Sequence, residues 1–377
     1  MPTGELPGLE GVVAASTRLS LVDGSAGRLI LAGYPVEEIA PRAKFEEMVH
    51  LLWYGRLPTE QELQQLTAKL ASRRRLPGGT LALMREAARH SSPVMDALRM
   101  AAGTLSLERT ESPEDDALTL VAAFPTIVGG FWRLKNGQEP IKPHEDLPHA
   151  DYCLHQIFGE AIGAERARGL ETYLNTVCDH GLNASTFAAR VIVSTRSDLV
   201  SAVTGAVGAL KGPLHGGAPG PALDMVLEIG TLARAEEAIV AKLERGERLM
   251  GFGHRVYRVR DPRADVLAAA AEKFYTTEGD RGLYELARNI EKVALRILAE
   301  RKPERRLATN VEFYTALLLH GLGLPKELFT PTFAMARVLG WTAHCLEQLR
   351  NGRLIRPEAE YTGPVDLNFK PVKERLN

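Results

Sequence analysis

Residues Met250 to Arg263 read MGFGHRVYRVRDPR. Gly251 and Gly253 bracket Phe252 and lead straight into His254. Glycine lets backbone approach a ligand closely and adopt positive φ without steric cost. A histidine at the end of such a turn is placed for proton transfer. Arg255, Arg258, Arg260 and Arg263 follow, and arginine forks suit carboxylates and phosphates. The stretch reads either as one histidine beside a multiply anionic ligand or as a solvated basic loop with a structural histidine. It is not a dinucleotide fingerprint, because the third glycine and the preceding strand are missing. Residues 246–262 as a whole lack a helical pattern and are interrupted by Gly251, Gly253 and Pro262, so a loop in a moving lobe is expected.

Outward from this loop the text is helical. Leu170, Tyr173, Leu174, Val177 and Cys178 form an apolar stripe on one helix face, and Leu63, Leu66 and Leu70 follow Pro58-Thr59-Glu60 at helical spacing. Similar patterns predict helices near 44–54, 93–106, 115–135, 185–195, 233–245, 281–300 and 331–349. Gly or Pro closes most of them. The strand signal is confined to Arg18–Val22 and Gly27–Leu31, a hairpin around Asp23-Gly24. Glu272 to Gly282 is polar and expected to be exposed. The fold class is all-α with a short N-terminal β-hairpin. At 377 residues there is room for about two domains.

Composition excludes several classes. With 45% hydrophobic and 25% charged residues and net charge −1, bulk charge gives no support for a nucleic-acid partner. Cys153, Cys178 and Cys345 are unpaired in spacing and read as reduced thiols of a cytoplasmic protein. MPTGELPGLEGVV lacks the pattern of a signal peptide, and no apolar run reaches roughly 18 residues, so no membrane span is expected. His149, Asp151, Cys153 and His155 alternate, but their spacing suits no known zinc pattern, and no metal is expected. GxxxxGK[ST] and GxSxG are absent.

Four further features could carry chemistry. His215, in KGPLHGGAP, stands between one helix and the next. A starting helix favours bound anions and depresses a nearby imidazole's pKa, so a neutral His215 could donate to a developing enolate, or it is a capping histidine. His180, in DHGLNAST, ends a helix and either meets its dipole or a ligand; Asn183, Ser185 and Thr186 look like caps for the next. Glu312, in NVEFY, is a first-turn carboxylate or a base. Arg337 sits within the nearly all-apolar Phe333–Trp341, where a guanidinium is costly unless an anion meets it, from a salt bridge or a ligand. SAVTGAVGAL, residues 201–210, is small enough to be buried deep, in the core or a subunit interface.

KGPLHGGA, MGFGHRVYRVRDPRA, NVEFY and LFTPTFAMARVLGW…NGRLIRP, in that order and spacing, resemble the citrate synthase family over nearly the whole chain. The resemblance implies an all-α homodimer of the compact type. A large domain (1–216 and 324–377) would hold a small one (217–323) that closes over the substrates. It implies an acyltransferase that condenses acetyl-CoA with oxaloacetate and water to citrate and CoA, the first step of the tricarboxylic acid cycle, with acetyl-CoA as co-substrate and no permanently bound cofactor. By resemblance Glu312 is the base, His215 stabilises the enolate, and His254 binds and protonates the oxaloacetate carbonyl. His180, Arg263 and Arg337 hold oxaloacetate, and Arg356 reaches in from the partner subunit. Leu249, Met250, Gly251 and Gly253 would line the CoA pocket, with Arg258 near its phosphates and Asn310 near the pantetheine arm. The family usually has Asp where Glu312 stands; the extra methylene moves the carboxylate by roughly 1 Å, a displacement that can cost on the order of 100-fold in rate. 2-Methylcitrate synthase, using propionyl-CoA, and a catalytically weak metabolite-binding paralogue are the alternatives.

Overall fold

The computed structural model describes residues 7–9, 11–216, 219–253, 257, 259–305 and 307–375. Its only described sheet is the N-terminal hairpin with one short addition. Ser20–Asp23 pairs antiparallel with Arg28–Leu31, and Tyr34–Pro35 adds to the second strand. Asp23 makes the turn, its Oδ1 accepting from the backbone N–H groups of Ser25 and Ala26 at 3.0 and 2.9 Å. Alternation then buries Leu29 and Leu31 and leaves Leu21 exposed.

The expected helices form with ends shifted by a residue or two: Phe45–Tyr54, Val94–Thr104, Pro113–Lys135, Ala164–Val177, Ala184–Ser194, Leu232–Glu244, Arg281–Arg301 and Phe329–Asn351. Local chemistry sets their limits. Thr59 and Glu62 form a reciprocal capping box that opens Glu60–Ser72. Gly55 ends its helix in the left-handed conformation at φ 77°. Besides the single turn Val36–Ile39 and the helix Pro262–Thr277, two helices lie where no pattern predicts them, Gly78–Arg89 and His149–Phe158. The second carries His149, Asp151, Cys153 and His155 on one short helix, with His149 stacked on Phe45 at 4.4 Å. Among the described residues no group of three His, Cys, Asp or Glu could hold a metal ion.

Residues 272–282 depart from expectation. Pro262–Thr277 is one continuous helix, so Phe274 and Tyr275 fall on its inner face and are buried. Asp261 caps this helix and Pro262 occupies its first turn, which aims Arg263 inward at its start. The helix packs on both Val311–Gly321 and Ala164–Val177 and so joins the loop after residue 250 to the body of the chain.

At the centre runs Pro113–Lys135. Among the described residues it is the one helix long and apolar enough to cross a membrane, yet 78% of its apolar window is buried inside the protein, which makes it a core helix. SAVTGAVGAL lies on helix Leu199–Leu210 and packs against Ala184–Ser194 and Val94–Thr104. Ala202, Val203, Ala206, Val207 and Leu210 are buried, whereas Thr204, Gly205 and Gly208 are half-exposed. The small residues thus serve the core on one side and leave a shallow face on the other.

Pro113–Lys135 and His149–Phe158 cross with their backbones in close approach. A Cβ at Gly129 would lie 2.6 Å from the carbonyl carbon and oxygen of Gln156, which are backbone atoms that cannot swing aside. Gly129→Ala is therefore expected to destabilise the fold by about 1–3 kcal/mol through overpacking. Urea unfolding checks this; an unchanged midpoint would show that the two helices separate freely.

Candidate active site

The glycine-flanked loop is stitched to the segment that starts the Val311–Gly321 helix. Gly253 N–H donates to Ala308 O (2.7 Å), Asn310 N–H donates to Gly251 O (2.9 Å), and Phe252 bridges to Thr309. Gly251 and Gly253 have φ of 87° and 81°, and a Cβ at either would meet Phe313 or Leu307 at 2.9 Å. Both conformation and space demand glycine. Asn310 completes the junction: its Oδ1 caps the helix by accepting from Glu312 N–H (3.1 Å), and its Nδ2 donates to Gly253 O (2.7 Å). The position of Glu312 is thereby tied to the turn that ends at Gly253. Leu249 is buried and Met250 half-buried on the approach to this turn.

Behind the junction, buried Glu291 binds three segments at once. Its Oε1 accepts from Thr309 Oγ1 (2.7 Å) and Arg260 Nη1 (2.9 Å), and its Oε2 accepts from the Tyr314 hydroxyl (2.5 Å). Burial alone would raise its pKa, but the hydrogen bonds from Thr309, Tyr314 and Arg260 outweigh it and hold the carboxylate ionised.

The site itself is built from charges that are costly to bury. Arg263 lies 5% exposed and is gripped by Asp261, Nε to Oδ1 at 3.0 Å and Nη2 to Oδ2 at 2.7 Å. Burial works against its charge, but this fork-on-carboxylate contact keeps it protonated. Arg337 is 1% exposed, donates from Nε to Val177 O (2.8 Å) and lies 4.5 Å from the Phe333 ring. Its Nη2 is buried without a hydrogen-bond partner among the described residues. Burial lowers its pKa to about 10, Asp179 opposing and the like charge of Arg263 adding to the fall. Two guanidiniums thus act on each other across one buried space, an arrangement that an anion relieves.

Glu312 lies in the field of Arg263. Its Oε2 is buried with no hydrogen-bond partner among the described residues. Burial raises its pKa and Arg263 partly offsets the rise, while Asp261 adds to it. His215 completes the group. The backbone N–H of Ser185, which can only donate, reaches its Nε2 at 3.3 Å, with Ser185 Oγ at 2.8 Å from the same nitrogen. Nε2 is thus the acceptor, and Nδ1 carries the ring hydrogen. Burial and then Arg337, rather than a helix start, push its pKa down to about 4, so the ring is neutral. Trp341 Nε1–H donates to Ser185 Oγ (3.0 Å) and holds that hydroxyl in place.

His180 makes its contact through its ring edge: Nε2 is 3.0 Å from the Tyr257 hydroxyl, and Tyr257 also lies 5.8 Å from the Arg263 guanidinium. Tyr257 joins the two, a role that sequence reading missed although the residue stands inside the arginine-rich stretch. Asn183 is the cap, accepting from Thr186 N–H at 3.1 Å and from the Ser185 hydroxyl at 2.8 Å, and Ser185 Oγ also reaches His215 Nε2 at 2.8 Å, a contact that local sequence does not disclose. The structure therefore brings together His180, His215, Arg263, Glu312 and Arg337, joined by hydrogen bonds or mutual electrostatic effects. His254 and Arg258 lie outside the described residues. Arg356 is exposed on the C-terminal tail, in the wall of a groove formed with residues 12–18, and not beside Arg337.

The family described as "Citrate synthase, C-terminal domain" matches residues 8–358. The chain is 41% identical to a citrate synthase of Haloferax volcanii over 99% of its own length and all of that protein's. It is 40% identical to a 2-methylcitrate synthase of Mycobacterium tuberculosis over 94% of its length and 90% of that protein's. Its fold superposes on that of a citrate synthase from Thermoplasma acidophilum, solved as a ternary complex with carboxymethyl coenzyme A and oxaloacetate. The TM-score is 0.89 at 33% identity, covering 99% of this chain and all of that one. Sequence, fold and match along nearly the whole length agree that the chain belongs to the citrate synthase family of acyltransferases.

Proposed function

We propose that the protein condenses acetyl-CoA with oxaloacetate and water, releasing citrate and CoA. One observation carries this reading: two buried guanidiniums, Arg263 and Arg337, act on the same space as a buried carboxylate and a neutral imidazole. Such a space fits a small dianion whose reaction needs a base and a hydrogen-bond donor. Oxaloacetate is held by Arg263, Arg337 and His180, with Arg356 of a second copy closing the clamp in a homodimer. Glu312 removes a proton from the acetyl methyl group. The Nδ1–H of His215 donates to the thioester oxygen as negative charge builds there. The enolate carbon attacks the keto carbon, and His254 delivers a proton to the resulting alkoxide. Water then cleaves the thioester.

Leu249 to Gly253 line the CoA pocket, with Arg258 toward its phosphates. Asn310 is already committed through its side chain to Glu312 and Gly253, so it serves the pantetheine arm by shaping the pocket wall. Residues 217–323 form the closing domain, which excludes water from the enolate step. The half-exposed face of Leu199–Leu210 suits the dimer interface. The reaction uses no resident cofactor and belongs to the cytoplasm as the entry step of the tricarboxylic acid cycle.

Propionyl-CoA is the second reading, favoured by the 2-methylcitrate synthase relative. A pocket distinguishes one methylene by only about 1–3 kcal/mol. Release of free thiol from the two acyl-CoAs with oxaloacetate separates the readings; a higher kcat/KM for propionyl-CoA would select the second. In the same assay Glu312→Gln is expected to lose about 10²–10⁴ in kcat, the usual worth of a positioned base. Activity equal to the parent's would remove Glu312 from the mechanism. Because Glu312 is raised and must be ionised to act, the acid limb of kcat/KM should lie above the ordinary carboxylate value of 4.5.

His215 should show its neutrality directly. Its ring nitrogens, followed by NMR, are expected to titrate near pH 4 and to report hydrogen on Nδ1. Below pH 6.5 the unfolded chain takes up this proton before the folded one does, so acidification from 6.5 toward 4 also costs stability. A midpoint above 6 would contradict the proposed donor.

A further inference from the structure

Asp179 and His344 are both fully buried, one beside His180 and the other on the Phe329–Asn351 helix that carries Arg337. Arginine nitrogens only donate, so the 3.0 Å contact from Arg190 Nη1 makes His344 Nδ1 an acceptor. The ring hydrogen is left on Nε2, which donates to Asp179 Oδ1 at 3.1 Å. Arg190 is itself immobilised: Nη1 also reaches Glu347 Oε2 at 2.7 Å, and Nε and Nη2 both donate to Gln348 Oε1 at 3.1 and 3.0 Å. The orientation of the imidazole is thereby fixed from outside the pocket.

Asp179 transmits that orientation inward. Gly181 N–H, just past His180, donates to Ser20 Oγ at 2.9 Å and to Asp179 Oδ2 at 3.3 Å, and Ser20 in turn donates to the Asp179 carboxylate. Burial would raise its pKa, but His344, Ser20 and Arg337 together bring it below the ordinary value, so it stays ionised. Asp179 is also the largest opposing influence to the desolvation of Arg337. One carboxylate therefore both shapes the turn that carries His180 and balances Arg337.

We propose that His344 is a positioning residue for the oxaloacetate pocket. By donating to Asp179 it sets the His180 turn and the charge balance of Arg337 without touching substrate. This rests on the reading of Arg337 and His180 as holding oxaloacetate. It predicts an effect confined to one of the two substrates.

Two polar replacements separate this role from simple packing. The amide of His344→Asn overlays the Nδ1 position, keeps the Arg190 contact and falls short of Asp179. That of His344→Gln reaches the Nε2 position and restores the donor to Asp179. Steady-state kinetics and calorimetric titration with oxaloacetate are run on both and on the parent protein. His344→Asn is expected to raise KM and Kd for oxaloacetate about tenfold or more, and His344→Gln to remain within about threefold of the parent. KM for acetyl-CoA should stay within about twofold in both. Equal behaviour of the two variants, a parallel rise in KM for acetyl-CoA, or failure of both to fold would overturn the proposal and assign His344 to the core. If the parent itself bound no oxaloacetate, the reading of Arg337 would fall and this role with it. An active parent with an unchanged His344→Asn would overturn this role alone.

Discussion

A guanidinium taken out of water must find an anion, and here two of them are buried within reach of each other. Arg263 has its own counter-ion in Asp261, two residues away on the same helix start. Arg337 has, among the described residues, a backbone carbonyl, the Phe333 ring and the field of Asp179, but no ion pair. Desolvation at this depth costs several kcal/mol per ion unless hydrogen bonds complete the shell, and Arg337 leaves Nη2 without a hydrogen-bond partner among the described residues. The surrounding fold is consistent with tolerating that cost for a purpose. Arg337 Nη2 is unsatisfied among the described residues, while the neighbours of Arg337 from Phe333 to Trp341 are apolar and mostly buried.

This constraint propagates to the neighbouring titratable groups. The positive field of Arg337 helps keep His215 neutral, so that the ring can be a donor without being a cation. The positive field of Arg263 limits how far burial can raise Glu312. After burial, the guanidiniums are thus the next largest influence on the protonation of Glu312 and His215, the proposed base and donor. A pocket that bound the same anion through neutral donors would leave both groups differently poised.

Much of this was legible in the chain. The periodic helices, their Gly and Pro limits and the hairpin follow from local pattern, and a lone arginine in Phe333–Trp341 demands an anion from sequence alone. What the sequence hid was of two kinds. Pro262–Thr277 carries an alanine-rich inner face with little contrast, so its helical extent was missed although Asp261-Pro262 is an ordinary helix start. The second kind is long-range pairing. Ser185 serves His215 thirty residues on, and Asp179 meets His344 across 165 residues. A hydroxyl beside Asn183 reads locally as a cap, and nothing in its neighbours says otherwise.

The location of Glu312 suits the role proposed for it, because it reconciles two needs of a carbon-acid base. A carboxylate that removes a weakly acidic proton must be basic, which burial provides, yet must ionise near neutral pH, which burial opposes. Glu312 stands in the first turn of Val311–Gly321, where helix N–H groups favour negative charge, and Asn310 caps that same turn. Helix start and Arg263 stabilise the ionised form while burial favours the neutral one. The same Asn310 binds Gly253 O, so the base is located relative to the loop that leads into His254 by backbone and amide hydrogen bonds alone. A longer side chain than aspartate can serve in such a frame, because the junction of Gly251, Gly253 and Asn310 fixes where the helix begins. The reach of the carboxylate is then a matter of rotamer within a walled space.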